Sequence, residues 1–399
     1  MLQTTPALSE DRVQAWTFEQ TVRQVLATHP AILSQQSSYD AAKADLDTAS
    51  WQRYPAPDLA ANKQENGPSN TVLTLQQPLW TGGRITADID GAKSRLDAAE
   101  AVLNETRRDV TLNLISAYTE TLRLQARQEY AVTNVREHKK LLELVSRRVE
   151  QEVTPPVDES LAQSRLYQAM NQLSSETEAL SNAMAQLSQL AGRDIEKVAP
   201  LDADTPDVPK SEKDAQQQAE DHSPTLARLA YELAAADADI SSKKSVYLPQ
   251  FALTYNKTSG GDVLGSLPPG HSVMLVMHLQ PGSGLSSLSD VDSATAKRQA
   301  ARQNRDTALR DLRVTISTGW NQLVAARLRY ENATLSSKIS GEVFESYVRQ
   351  YTTGRKGWLD VMNSAQEAAN AEMAAADASA QITSSALRLR LLTGNLRKY

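Results

Sequence analysis

Apolar and small residues recur along this chain at alternating steps of four and three. One series is Ile85, Ile89, Ala92, Leu96, Ala99, Leu103, Thr106 and Val110; another is Leu309, Leu312, Ile316, Gly319, Leu323, Ala326, Tyr330 and Ala333. A sustained 3.5-residue period marks helices that pack side by side as coiled coils. Ala92 to Thr154 contains neither glycine nor proline, so one unbroken helix there would run about 95 Å at 1.5 Å per residue. No proline follows Pro281, which leaves the last 118 residues free to be almost wholly helical. Many contact positions are Ala, Ser or Thr, so each contact buries little area and such helices need neighbours on both sides. On the helices alone, a coiled-coil rod and a cylinder of helical staves fit equally well.

The period then changes to two. Tyr54-Pro55 and Leu248-Pro249 each end a helix and open an extended run, because proline confines its predecessor to β-like angles. The predicted strands are 55–63, 70–78, 249–257 and 272–281, each about nine or ten residues, the length that crosses a bilayer as a β-strand. Phe251, Leu253 and Tyr255 share one face, with Gln250, Thr254 and Asn256 on the other; Val273, Leu275, Met277 and Leu279 form a similar apolar face. The first strand, with Asp58, Ala60 and Asn62, alternates poorly. Asn66-Gly67-Pro68 and Gly260-Gly261 supply turn residues at the hairpin tips. Trp51, Tyr54, Trp80 and Tyr247 cluster where strands meet helices, as an aromatic girdle at a lipid interface would; packing at a helix–strand joint explains any single one equally well. Four strands leave unpaired edges and cannot close a barrel. Copies must therefore pool strands, as an eight-stranded dimer or a twelve-stranded trimer.

The chain also matches itself. At an offset of 194, Pro30 meets Pro224, Ala44-Asp45 meets Ala238-Asp239 and Pro55 meets Pro249; at 202, Asp158 meets Asp360, Leu187 meets Leu389 and Gly192 meets Gly394. The growth in offset places an insertion near Gly260 to Gly270. The expected organisation is a first repeat over 1–197, a proline-bearing acidic linker over 198–211 (Pro200, Pro206, Pro209) and a second repeat over 212–399.

Composition narrows the class. Mean hydropathy is -0.46, and no stretch approaches the roughly 18–20 apolar residues of a membrane-spanning helix; a β-barrel stays open. Net charge of -6 argues against nucleic acid as a partner. Without cysteine there is no disulfide, thiolate or lipoprotein acylation site. The first residues lack the basic and apolar regions of a signal peptide, so the numbering is read as starting after a removed one, with Met1 added. His29, His138, His222, His271 and His278 are scattered, and no HExxH, GxSxG, P-loop or GxGxxG occurs. No catalytic, cofactor or metal residue is expected.

Taken in order, Ala27-Thr28-His29-Pro30, Tyr54-Pro55, Gln77-Pro78-Leu79-Trp80-Thr81-Gly82-Gly83-Arg84, Tyr247-Leu248-Pro249, Tyr351-Thr352-Thr353-Gly354, Trp358-Leu359-Asp360-Val361 and Leu391-Leu392-Thr393-Gly394 resemble the TolC family of outer-membrane factors over nearly the whole chain. The resemblance implies a mainly α fold with a small β part. Four strands per chain would enter a twelve-stranded trimeric β-barrel in the bacterial outer membrane, with a long α-barrel of coiled-coil helices in the periplasm. It implies a homotrimer, outer-membrane lipid, a periplasmic adaptor (membrane fusion protein) and an inner-membrane ABC or other transporter as partners.

The resemblance also places a periplasmic gate at the helix breaks 149–158 and 351–360. Tyr351 would hydrogen-bond Asp158, Lys356 or Arg355 would tie to the first repeat's turn, and Asp360 would form an acidic ring that attracts cations. Asn363 stands where the family often has a second acid, Glu152 stands where the second repeat has Gly354, and Pro155-Pro156 occupy the first turn. Residues 354–363 and Gln280-Pro281-Gly282-Ser283-Gly284-Leu285 resemble members serving type I protein secretion, including export of large adhesins. The alternatives are a multidrug or metal efflux channel and, in another class, a soluble periplasmic coiled-coil adaptor.

Overall fold

The computed structural model describes residues 15–63, 69–201, 208–260, 269–280 and 286–395. Helices α1 (Phe18–Thr28) and α2 (Pro30–Trp51) precede strands β1 (Ala56–Lys63) and β2 (Ser69–Trp80), then helices α3 (Arg84–Glu150) and α4 (Pro156–Ala191). The same order follows with α5 (Glu212–His222), α6 (Pro224–Lys244), β3 (Gln250–Gly260), β4 (Gly270–His278), α7 (Ser286–Thr352) and α8 (Trp358–Leu392). The tip residues Asn66-Gly67-Pro68 and Gly261, the stretch 281–285 and linker positions 202–207 lie outside the described residues.

Helices α3 and α7 each hold 67 residues, about 100 Å apiece. Every member of the two 3.5-period series is buried or half-buried, so the periodicity marks the packed stripe. Pro30 and Pro224 start α2 and α6 and cut off the short helices before them. The residues ahead, His29 and Ser223, are extended (ψ 125° and 113°), as a following proline requires. The separate helices α1 and α5 are not anticipated by the sequence reading. α1 is fixed by a capping box in which Thr17 and Gln20 satisfy each other's backbone N–H groups.

The helix breaks share one device. Glu152, Gly192, Gly354 and Gly394 all adopt left-handed φ (58°, 63°, 73° and 78°). In each case the next N–H returns to a carbonyl five residues back: Val153 to Arg148, Arg193 to Ser188, Arg355 to Gln350 and Asn395 to Arg390. These are Schellman closures. Glu152 takes a conformation that costs a side-chain-bearing residue roughly 1 kcal/mol.

The chain divides into two compact units. The first comprises residues up to 32, 107–223 and from 312 onward. Its apolar clusters include Ala215, Ala219, Ile316, Leu323, Ile382 and Leu389. Here the opening of the expected linker is packed, not free: Val198 is fully buried and bridges Trp16. The Tyr118 hydroxyl lies 2.9 Å from the Trp16 carbonyl and 2.8 Å from that of Ala199. Burial pushes that phenol well above its ordinary pKa, so it stays a donor. The second unit, 33–106 with 224–311, carries a four-stranded antiparallel sheet in the order β1-β2-β3-β4. Gly82 (φ 63°) starts the turn from β2 into α3; a Cβ there would sit 2.8 Å from Leu248 Cβ.

Candidate functional site

The sheet is apolar on its exposed side. Register pairs Leu59 with Leu73, Leu75 with Tyr255, Leu253 with Leu275, Tyr255 with Val273 and Phe251 with Met277, which puts all of these on one face. Val273, Leu275 and Met277 are each more than 60 % exposed. The opposite face carries Asp58, Asn62, Thr74, Asn256 and Thr254, of which Asn256 and Thr254 are buried. Thr74 donates to Asn256 Oδ1 at 3.0 Å across the strand pair. A water-soluble sheet hides its apolar face; this one displays it, the arrangement of a strand whose outer solvent is lipid. Among the described residues, β1 and β4 each pair on one side, which leaves two edges of hydrogen-bonding groups for strands from elsewhere. No described helix is long and apolar enough to cross a membrane.

The aromatic residues sit at the joints between strands and helices. Trp51 and Tyr54 meet at a tilt of 51° with 5.1 Å between ring centroids and are well exposed. Trp80, half-exposed, lies 6.0 Å from Phe251, and Tyr247 projects from the turn ahead of β3. Exposed rings with a polar edge at the strand ends are what an interfacial girdle requires.

In the first unit, the turns α3–α4 and α7–α8 come together. Leu141, Val145 and Ala162 from the first hairpin pack with Tyr351, Trp358, Val361, Met362 and Ala365 of the second. Tyr351 is buried, meets the Trp358 ring at a tilt of 51° with 5.1 Å between centroids, and places its hydroxyl 3.3 Å from Thr154 Oγ1. Asp158, the partner expected from the resemblance, is half-buried four residues further on, its N–H bonded to the Pro155 carbonyl at 3.1 Å. Lys356 turns back on its own hairpin: Nζ is 3.7 Å from Asp360 Oδ2 and 4.2 Å above the Tyr347 ring. Asp360 also accepts the Gly357 N–H at 3.4 Å and keeps half its side chain exposed. Arg355 and Asn363 are exposed. The structure thus brings Tyr351, Lys356 and Asp360 together around the α7–α8 turn, while Thr154 and not Asp158 meets the Tyr351 hydroxyl.

A charged network went unread in the sequence because its members are far apart along the chain. Arg127 of α3 binds Glu176 of α4 through two nitrogens (2.8 and 3.1 Å) and Asp377 of α8 at 3.0 Å; Arg123 binds the same Asp377 at 2.8 Å and Glu120 at 2.6 Å. Arg127 holds the Glu176 carboxyl below its ordinary range, so the pair stays ionised although Glu176 is buried.

These features define an outer-membrane channel subunit. The chain belongs to the outer membrane efflux protein family, whose model matches residues 21–193 and 215–395. It is 23% identical over 321 residues to the cobalt-zinc-cadmium resistance protein CzcC of Cupriavidus metallidurans, covering 77% of this chain and 74% of that one. Its fold is similar to the outer membrane protein VceC of Vibrio cholerae (TM-score 0.80, 18% identity, 94% and 96% of the two chains). It is also similar to a membrane protein from Pseudomonas aeruginosa (TM-score 0.83, 17% identity, 94% and 93%). The protein is therefore a TolC-like efflux channel of the outer membrane and not an enzyme. The soluble-adaptor alternative falls with the family match.

Proposed function

We propose that three copies of this chain form the passive, gated exit duct of a tripartite export machine. Each of two tandem repeats would contribute a strand pair to the barrel and a helical hairpin to the tunnel. The observation that carries the reading is the inverted sheet: an exposed face of Leu59, Leu253, Leu275 and Met277 bounded by two open edges. Three such sheets joined β4 to β1 would make twelve strands, lipid-facing outside and polar within. The aromatic residues Trp51, Tyr54, Trp80 and Tyr247 would ride at the interface. The paired turns would form the periplasmic constriction, with Tyr351 and Lys356 holding it, Asp360 facing the pore, and Asp158 and Arg355 available to a neighbouring copy. An adaptor that binds the open form better would shift the gate's equilibrium by its differential affinity, towards an inner-membrane ABC or other transporter.

For cargo, the reading is protein leaving by type I secretion, supported by the resemblance of residues 354–363 to members of that subgroup; the other stretch carrying it, 281–285, lies outside the described residues. Metal or drug efflux is the second reading, supported by the similarity to a cobalt-zinc-cadmium resistance protein. Deleting the chain's gene in its host separates them. Loss of a large surface or secreted protein with unchanged metal and drug tolerance supports secretion. Sensitivity to those agents with an intact secretome supports efflux.

A further inference from the structure

The contacts at the paired turns single out Arg148, in the last turn of α3. Its guanidinium carbon lies 4.8 Å above the Tyr351 ring, within cation–π range. Nε donates to Thr154 Oγ1 at 3.4 Å, the same oxygen that meets the Tyr351 hydroxyl at 3.3 Å. Nη1 donates to the Thr352 carbonyl at 3.4 Å. That carbonyl closes the C-terminus of α7, where the helix dipole favours a cation. The Arg148 carbonyl meanwhile accepts the Val153 N–H that closes α3. One residue thereby finishes its own helix and grips the end of the other repeat's helix.

The other cations nearby do not do this. Arg147 and Arg349 pair within their helices with Glu143 and Glu345, and Lys356 pairs with Asp360 on its own hairpin. Among the described residues around the turns, Arg148 is the cation whose side chain reaches from the first hairpin to the second.

We infer that Arg148 is the clasp joining the two helical hairpins of each subunit at the resting gate, acting through the ring and hydroxyl of Tyr351. The inference rests on the reading that these turns form the gate. Opening the tip by parting the hairpins would remove the cation from the ring and free the Thr352 carbonyl together, so one side chain per subunit adds a polar bias to closure on top of the apolar contacts between the hairpins. The apolar cluster beneath, from Leu141 to Ala365, is built of other side chains and would keep the hairpins folded in an Arg148 variant.

Single-channel conductance in planar bilayers tests the clasp with five variants. Arg148→Ala should raise resting conductance about fivefold, the scale expected when a contact of this class stops biasing a two-state gate. Arg148→Lys keeps a charge over the ring but loses the fork, and should fall below the alanine variant. Thr154→Val, which removes only the shared hydroxyl, should give a smaller rise. Arg147→Ala removes the same charge one residue away and should match wild type. Asp360→Ala reports on the gate independently through cation selectivity. If Arg148→Ala is no leakier than Arg147→Ala while Asp360→Ala loses selectivity, the gate stands and the clasp is wrong. If neither changes, both fail.

Discussion

Asp377 on α8 receives two guanidiniums from α3, Arg123 at 2.8 Å and Arg127 at 3.0 Å. Each arginine also holds a carboxylate of its own, Glu120 for Arg123 and Glu176 for Arg127. Losing Asp377 therefore leaves no charge stranded, whereas losing Arg127 strands Glu176, whose side chain is only 6% exposed. Arg127→Ala should destabilise the protein by about 3 kcal/mol, the cost of an unpaired buried charge. Asp377→Asn should cost about 1 kcal/mol or less, as a half-exposed ion pair does. Denaturation of the detergent-solubilised protein followed by circular dichroism ranks them; equal losses would mean Glu176 is rescued elsewhere.

Neighbouring residues of β4 make a paired test of the sheet. Leu275 belongs to the apolar exposed face and Met274 to the other. Leu275→Arg should cost about 2–4 kcal/mol if its surroundings are lipid hydrocarbon and should sharply lower the amount recovered in outer membranes. Met274→Arg should be recovered near wild-type level. Equal recovery would mean that the Leu275 face does not meet lipid.

Asp360 keeps half its side chain in solvent beside Lys356. If it faces the pore, Asp360→Ala should weaken cation selectivity and divalent block, and Asn363→Asp should strengthen both by adding a second ring of carboxylates. Reversal potentials across a salt gradient measure this. Unchanged selectivity in both variants would take the α7–α8 turn out of the conduction path.

Much of this was legible beforehand, and the reasons are physical. Proline fixes its neighbour's backbone locally, so Pro55 and Pro249 disclosed where the strands begin. The 3.5-residue period disclosed the packed stripe of α3 and α7 because burial there repeats with the helix itself. β1 was harder to read: Asp58, Ala60 and Asn62 do not look like one face of a barrel strand, and pairing with Thr74, Val72 and Asn70 is what aligns them. Glu152 hid a left-handed turn that only Gly354 advertised. The clasp and the Arg127 network were unreadable, since Arg148 meets Thr352 across 204 residues and Arg127 meets Asp377 across 250, and no local pattern encodes such distances.

His138 should make the helical unit acid-sensitive. It is buried, its Nδ1 has no partner among the described residues, and burial together with the Arg165 charge lowers its pKa; Glu137 opposes this weakly. The unfolded chain takes up a proton below about pH 6.5, while the folded imidazole stays neutral. The His138 contribution is therefore complete above pH 6.5 and lost as pH falls below it. Glu372, whose carboxyl is raised by burial and by Glu137, has the opposite slope, since protonation relieves it. Melting temperatures of wild type and His138→Gln between pH 7.5 and 5 should converge on acidification. Parallel curves would show that His138 carries no linkage.

The most direct test of the account is the protein mass of the detergent-solubilised particle, measured by light scattering with the detergent contribution subtracted. Assembly of strands from separate copies into one lipid-facing cylinder predicts three times the 43.6 kDa of a single chain. A particle of 43.6 kDa that stays monodisperse after the detergent is withdrawn would contradict it.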